Sequence, residues 1–150
     1  MMVLAVVRPD DWNLPLLVHV AGAMLVVGFL AASTYMLLLG GDSVAMQRLG
    51  YRTLLLGALP AYIVMRGGAQ WVLSREGYGD ADPTWIGIGF AVTDVGALLL
   101  VIALILGGIG VRRLRTADAR TRLLTATGVL AAVLLAAYLV AVWAMTVKPD

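Results

Sequence analysis

Four long apolar stretches constrain the fold of this chain more than any other feature. They cover about residues 14–39, 51–73, 85–111 and 123–147. A helix needs about 20 mostly apolar residues to cross the hydrocarbon core of a bilayer. Each stretch reaches that length, and none alternates apolar and polar residues as a membrane strand does. The sequence therefore predicts an all-α fold, a transmembrane four-helix bundle that occupies residues 1–150 as a single domain.

The composition supports a lipid environment. Of the 150 residues, 61% are hydrophobic and only 13% are charged, whereas soluble domains have roughly half apolar and a quarter charged residues. Cysteine is absent, which excludes disulfides, thiolate metal sites and cysteine nucleophiles. The single histidine, His19, excludes a His-rich zinc site and a haem held by two histidines of one chain.

The distribution of basic residues predicts the orientation of the bundle. Lys and Arg are concentrated in short cytoplasmic loops of membrane proteins. The first and third loops carry Arg48, Arg52, Arg112, Arg113, Arg115, Arg120 and Arg122, whereas the opposite side carries only Arg8, Arg75 and Lys148. We therefore expect an antiparallel, up-down-up-down bundle with both termini and the 74–84 loop outside the cytoplasm. The four tryptophans fall near the outer ends of the spans, where interfacial tryptophan is expected: Trp12, Trp71, Trp85 and Trp143.

The segments outside the spans carry little further information. The N-terminal residues do not follow the order of a cleavable signal peptide, so residues 1–13 are interpreted as a tail at the membrane interface. Gly40 and Gly41 suit a left-handed turn at the end of the first span. The basic third loop is explained by attraction to anionic lipid head groups, and we expect no binding of nucleic acid.

Polar residues inside the spans are the candidate functional groups. A charged residue at mid-helix costs roughly 2.5–3.5 kcal/mol on insertion scales. Arg66 in the second span and Asp94 in the third lie at similar depths, roughly 10 and 13 Å from the outer end at a rise of ~1.5 Å per residue. We predict that they form an ion pair. An intramembrane polar layer is then completed by four further residues: His19, Tyr62, Gln70 and Tyr138. Within this layer, His19, Gln70 and Tyr138 are expected to satisfy the remaining hydrogen bonds of the ion pair.

Small residues and one proline predict how the spans pack. We expect eight glycines to let helices approach closely: Gly22, Gly28, Gly57, Gly67, Gly68, Gly87, Gly89 and Gly96. Pro60 lacks the backbone N–H and is expected to kink the second span. The fourth span is rich in Ala and Leu, which suggests that it has the largest lipid-facing surface.

Three segments resemble a known kind of protein: residues 16–28, with a histidine followed by spaced small residues, residues 59–66, and the Lys-Pro ending of residues 145–149. Together they resemble small bacterial predicted integral membrane proteins of unknown function. A more distant similarity is to the copper-resistance D-type membrane domain, in which only His19 matches the family's histidines. These resemblances imply a multi-pass protein of the bacterial inner (cytoplasmic) membrane.

The sequence leaves three functions open. It shows no nucleophile–base pair, phosphate loop or ligand cluster, so we predict no enzyme, no catalytic residue and no metal site. The first hypothesis is a non-enzymatic subunit, scaffold or homo-oligomer, whose partners are membrane lipids and a second copy or another membrane protein. The second is a small transporter or proton-conducting protein that uses His19, Arg66, Asp94 and Tyr138. The third is a haem- or metal-binding redox protein with His19 as one ligand. Met24 or Met65 would then be the other axial ligand of a haem, and no cofactor is predicted otherwise.

Overall fold

The computed structural model describes residues 13–41, 43–76, 84–114 and 122–147. Several sequence predictions concern residues outside these ranges. They include the interfacial tail apart from Asn13, most of the 74–84 loop, Arg115 and Arg120 of the third loop, and the Lys148–Pro149 ending.

Helices account for nearly all of the described residues, and no strand occurs among them. Helix α1 (Asn13–Thr34) continues as a π-helical turn (Tyr35–Leu39). Helix α2 (Val44–Thr53), a second π-helical turn (Leu54–Ala58) and helix α3 (Leu59–Glu76) follow one another directly. Helices α4 (Thr84–Arg113) and α5 (Arg122–Val147) complete the chain. The predicted all-α class is confirmed.

Three helical segments are long and apolar enough to cross a membrane, by length and composition: Asn13–Leu39, Thr84–Arg113 and Arg122–Val147. They match the first, third and fourth predicted spans. The second predicted span is not among these three segments. Its helix α3 has only 18 residues and includes the charged residues Arg66, Arg75 and Glu76. The helical run that contains it also begins earlier than predicted, at Val44, where the side chain of Ser43 caps the helix by accepting from the backbone N–H of Met46.

Each helix packs against only some of the others. Helix α1 packs against α3 and α5, and α4 packs against α5, whereas α3 and α4 make almost no backbone contact. Close contacts of α1 and its π-helical turn with the α2–α3 run include His19 with Gly68, Gly22 with Met65, Phe29 with Gly57 and, from the turn, Leu37 with Gly50. The main hydrophobic core lies between these elements and includes Leu30, Leu54, Leu100 and Leu134.

Glycine explains the closest helix contacts, but not at every predicted position. A Cβ atom on Gly22 would lie 2.7 Å from the backbone of Met65, and one on Gly68 would lie 2.7 Å from the backbone nitrogen of His19. Only glycine allows α1 and α3 to approach so closely. In contrast, a Cβ on Gly28, Gly67 or Gly87 would meet nothing within 4 Å, so these three glycines do not mediate contacts. Gly41 has a positive φ of 67°, in agreement with the predicted left-handed turn.

Two further expectations concern Pro60 and the fourth span. The kink expected at Pro60 stays a prediction; the segment before it is the π-helical turn at Leu54–Ala58, after which the Leu59 N–H donates to the carbonyl of Leu54. The expectation that the fourth span has the largest lipid-facing surface stays a prediction. Among the three apolar segments, α5 has the largest share of buried residues, and its small residues pack against both α4 and α1. Its buried positions are Leu124, Thr127, Gly128, Ala131, Leu134, Tyr138, Ala141 and Ala144.

Candidate functional site

The predicted ion pair is present between α3 and α4. The Nη2 atom of Arg66 lies 2.9 Å from the Oδ1 atom of Asp94. The two partners differ in exposure, since 27% of the Arg66 side chain and 63% of the Asp94 side chain are accessible. A contact of this length is a charge-assisted hydrogen bond. The pair therefore joins two helices whose backbones scarcely touch.

The Arg66 guanidinium also contacts an aromatic ring. Its Cζ atom lies 5.1 Å from the centroid of the Phe90 ring, within the range of a cation–π interaction. Phe90 and Asp94 are four residues apart on α4 and so share one face of that helix. The guanidinium thus contacts the Phe90 ring and the Asp94 carboxylate, which lie on two successive turns of α4.

A second polar bridge lies beside the ion pair. The Tyr62 hydroxyl donates to the backbone carbonyl of Thr93 over 3.2 Å. The Thr93 hydroxyl donates to the carbonyl of Gly89 within its own helix, at 2.6 Å. Tyr62 is one turn before Arg66 on α3, and Thr93 is the residue before Asp94. Two consecutive turns of α3 are consequently tied to α4 by side chains.

His19 does not bond to the ion pair, contrary to expectation. Its Nδ1 atom lies 3.1 Å from the carbonyl oxygen of Met65. Because a carbonyl oxygen only accepts, Nδ1 is the donor and carries the proton. The bond forms because His19 lies directly against Gly68, which brings the imidazole to the adjacent turn of α3. The Nε2 atom of a neutral imidazole is then left with a lone pair.

Gln70 and Tyr138 also do not complete the hydrogen bonding of the ion pair. Gln70 is exposed on α3. Tyr138 is 5% exposed, and its hydroxyl is buried without a hydrogen-bond partner among the described residues. It lies over Gly96, where an added Cβ would be 3.1 Å from the hydroxyl oxygen. Gly96 and Asp94 are two residues apart and therefore point to nearly opposite sides of α4. The predicted layer is thus divided, with Asp94 outside the core and Tyr138 within it.

Beside the ion pair, a large cavity lies between α1, α3, α4 and α5. Its volume is about 830 Å³, and most of its lining is apolar. All four helices contribute residues, from the beginnings of α1 and α4 and the ends of α3 and α5. The polar groups at its wall come from the side chains of His19, Arg66, Thr93 and Thr146 and from the indole N–H of Trp85. The cavity was not predicted from the sequence, because the sequence of a single helix does not give its distance from the other helices.

Three buried polar residues at the other end of the bundle, Ser33, Gln47 and Thr127, were not predicted from the sequence. The Ser33 hydroxyl donates to the Gly50 carbonyl over 2.5 Å, and the Thr127 hydroxyl donates to the Leu123 carbonyl over 2.8 Å. Gln47 is fully buried, and neither atom of its amide has a partner among the described residues. The available signal was the amphipathic sequence of α2, in which Gln47 shares a face with Gly50 and Leu54.

The residues present offer limited means of holding a metal or haem. No group of three or more potential ligands occurs within the described ranges. Of the residues considered as haem ligands, His19 has Nε2 available, whereas Met65 is 4% exposed and belongs to the hydrophobic core. Met24 is exposed and lines the cavity on the same helix as His19. Both available ligands therefore lie on α1, which does not provide the two opposed sides that an axial pair requires.

Comparison with family models, with curated proteins and with solved structures finds no match to this chain. The class of the protein is therefore defined by its own structure. Helices make up nearly all of the described residues, and three of these helices are long and apolar enough to span a bilayer, which defines the class of α-helical membrane proteins.

Proposed function

We propose that this chain is a non-enzymatic integral membrane protein that acts as a small subunit or scaffold in a bacterial cytoplasmic membrane. It crosses the bilayer four times, and the run from α2 to α3 supplies the second span. Both termini lie outside the cytoplasm. In this proposal the Arg66–Asp94 pair has a structural role, in that it fixes the second span against the third.

The order of helix contacts supports an antiparallel bundle. Residues later in α1 and in the π-helical turn that continues it contact residues progressively earlier in the α2–α3 run, from His19 with Gly68 to Leu37 with Gly50. Helices α4 and α5 follow the same rule, since Gly89 lies near Met145 and Gly107 lies near Thr127. In antiparallel neighbours, partner numbers fall as residue numbers rise.

The arrangement of arginines supports the orientation. Tyr51 of α2 lies against Gly107 and Gly108 of α4, so these two helices meet at the same end of the bundle. That end carries the described arginines Arg48, Arg52, Arg112, Arg113 and Arg122, all of which are exposed. A basic end is expected to face the cytoplasm.

One observation supports a structural role for the Arg66–Asp94 pair. Helices α3 and α4 have almost no direct backbone contact, and the Arg66–Asp94 and Tyr62–Thr93 bridges join them. An ion pair at this depth fixes relative orientation, because separating the partners would leave each charge unpaired in a medium of low dielectric constant.

Exchange of the two charges tests this role. We expect Arg66→Asp and Asp94→Arg each to lower the yield of folded protein, since each single variant places like charges together. The double variant should recover part of the yield, because the attraction is restored in reverse. The measurement is the monodisperse yield after extraction in mild detergent. If the double variant recovers none of the lost yield, the result would count against a pairing role for the two residues.

The subunit or scaffold role has its own test. Crosslinking in intact membranes followed by blue-native electrophoresis should give a discrete species larger than the 15.8 kDa chain. Mass spectrometry of that species then shows whether the partner is a second copy or another membrane protein. A monomer with no crosslinked species would exclude this role while leaving the membrane assignment intact.

The exposure of Asp94 favours a second candidate, a small transporter or proton-conducting protein. A carboxylate that is 63% exposed within a span is accessible for exchange of a proton or cation. In this scheme Asp94 is the exchanging group and Arg66 its charge partner. Flux through proteoliposomes should then be lost in Asp94→Asn. Flux that persists in that variant would remove this candidate.

A further inference from the structure

The cavity between the four helices has the composition of a lipid-binding site. Its volume of about 830 Å³ lies within the range of small-molecule pockets, roughly 300–1,000 Å³. Apolar side chains such as Val20, Val27 and Ile86 line most of it. Met24 and Leu139 line it and are also exposed at the surface of the bundle. An apolar chain could therefore enter sideways from the bilayer.

The polar groups at the wall of the cavity define the head group of such a ligand. The Thr93 and Thr146 hydroxyls donate to carbonyls of their own helices, those of Gly89 and Val142. Compared with these two hydroxyls, the ring of His19 and the guanidinium of Arg66 keep unused hydrogen-bonding capacity at the wall. The Nδ1 proton of His19 is committed to Met65, so Nε2 is the atom left for a ligand.

Arg66 retains most of its donors. A guanidinium has five N–H donors, and Asp94 is its one hydrogen-bonded acceptor among the described residues. Arg66 lines the cavity, whereas Asp94 does not. The carboxylate therefore holds the guanidinium in place and leaves other N–H groups to bind an oxygen atom inside the cavity.

The charges of Arg66, Asp94 and His19 indicate that the ligand of the cavity is an acid. Arg66 and Asp94 neutralise each other, so an anion alone would introduce an unbalanced charge into a medium of low dielectric constant. An acid that transfers its proton to Nε2 of His19 leaves the site neutral overall, with imidazolium and Arg66 balanced by Asp94 and the ligand. The Nδ1–H bond of His19 to Met65 is preserved in this step, because both ring nitrogens of imidazolium are donors.

We propose that the cavity binds a single-chain acidic amphiphile, with its carboxylate or phosphate on Arg66 and His19 and its apolar chain along α1 and α5. This inference depends on the membrane setting of the proposed function. It goes beyond that function by assigning the chain a specific ligand class.

Fluorescence quenching by brominated amphiphiles tests the proposal. Trp85 lines the cavity, whereas Trp143 is exposed and does not. Two full-length variants are prepared in lipid nanodiscs, each retaining one of these tryptophans and carrying Phe in place of the other three. The probes are a bromostearic acid, its methyl ester and a brominated lysophosphatidic acid. We expect saturable quenching of Trp85 by at least one acid, and non-saturable quenching of Trp143 by all three probes.

Variants of the site sharpen the test. Arg66→Lys keeps the charge beside Asp94 but removes the planar fork, and it should weaken binding of the acid about tenfold or more. Ala69→Phe fills the cavity without changing the ion pair and should abolish saturable quenching. Ala136→Phe is its matched control, since Ala136 is exposed on α5 and does not line the cavity. It should bind as the parent does.

The outcomes separate this proposal from the membrane assignment. Saturation by the fatty acid or by the lysophosphatidic acid supports the proposal and identifies which acid group is preferred. Linear quenching of Trp85 by every probe would overturn it, as would a methyl ester that binds as tightly as the acid. If none of the three probes quenches Trp143, the result would instead contradict the membrane setting itself.

Discussion

The contacts of α3 with α1 and with α4 differ in kind. Against α1, helix α3 is close enough that a single methyl group on Gly22 or Gly68 would collide with backbone atoms. Against α4, the helix has almost no backbone contact and is joined through long side chains, chiefly Arg66 to Asp94 and Tyr62 to Thr93. One helix thus has a close interface on one side and an open one, bridged by long side chains, on the other.

This difference shows how a helix with charged residues can remain in a bundle. In lipid, apolar surface gains little from association, so close van der Waals packing and interhelical hydrogen bonds hold helices together. The α1–α3 contact combines close packing at Gly22 and Gly68 with the hydrogen bond from His19 to the Met65 carbonyl, whereas the α3–α4 contact depends on the polar side chains. The open side also leaves space for the cavity beside Arg66.

The largest expected effect comes from removing one charge of the α3–α4 bridge. Asp94→Leu leaves Arg66 without its carboxylate. If the α2–α3 run is the second span, as proposed, this should lower the free energy of unfolding by about 2.5–3.5 kcal/mol, the cost of an unpaired charge in a span. SDS titration in mixed micelles measures this change. The double variant Arg66→Met, Asp94→Leu should recover most of the loss, because no charge is then left unpaired. Additive losses in the double variant would show that the two residues do not stabilise each other.

The α1–α3 contact is tested by one added methyl group. Gly68→Ala should lower the free energy of unfolding by roughly 1–3 kcal/mol, since the new Cβ must displace the backbone of His19. Gly67→Ala is the matched control, because its Cβ would meet nothing within 4 Å. The same SDS titration should find that variant unchanged or slightly more stable, as alanine favours a helix. Equal effects at the two positions would contradict the close contact.

The smallest expected effect concerns the hydrogen bond of Tyr62. Tyr62→Phe removes its bond to Thr93 and should cost about 0.6 kcal/mol, the average for interhelical bonds in a membrane protein. Tyr138→Phe is the control, because its hydroxyl is buried and has no partner in the part of the chain that the structure describes, so its removal should leave stability unchanged or raise it. Unfolding titrations of both variants give the comparison. A larger loss for Tyr138→Phe would indicate a hydrogen bond that the structure does not contain.

Much of the fold could be predicted from the sequence, because helix formation in lipid depends on local properties. Uninterrupted apolar stretches predicted three long helices to within a few residues, and the Arg66–Asp94 pair followed from two opposite charges at similar depth. The second stretch was less well predicted. Its helical run begins seven residues earlier, at Val44, because α2 is amphipathic rather than uniformly apolar.

The site was predicted less completely because it depends on how helices face one another. His19 bonds to a backbone carbonyl of α3, and Tyr138 faces Gly96, so neither reaches Asp94. Sequence depth places these groups at one level but does not give the rotation of each helix about its axis. Gln47 was overlooked for the same reason, since its burial depends on neighbours distant in the chain.

The sequence by itself determined that this chain is helical, that its long apolar helices suit hydrocarbon, and that two opposite charges within it need each other. These properties follow from the composition of single segments and from the cost of leaving a charge or a backbone group unpaired in lipid. Only the tertiary structure decided which glycines bring helices together, which polar groups meet, and where the cavity lies. Those features depend on distances between segments, and such distances are set by the simultaneous packing of all the helices.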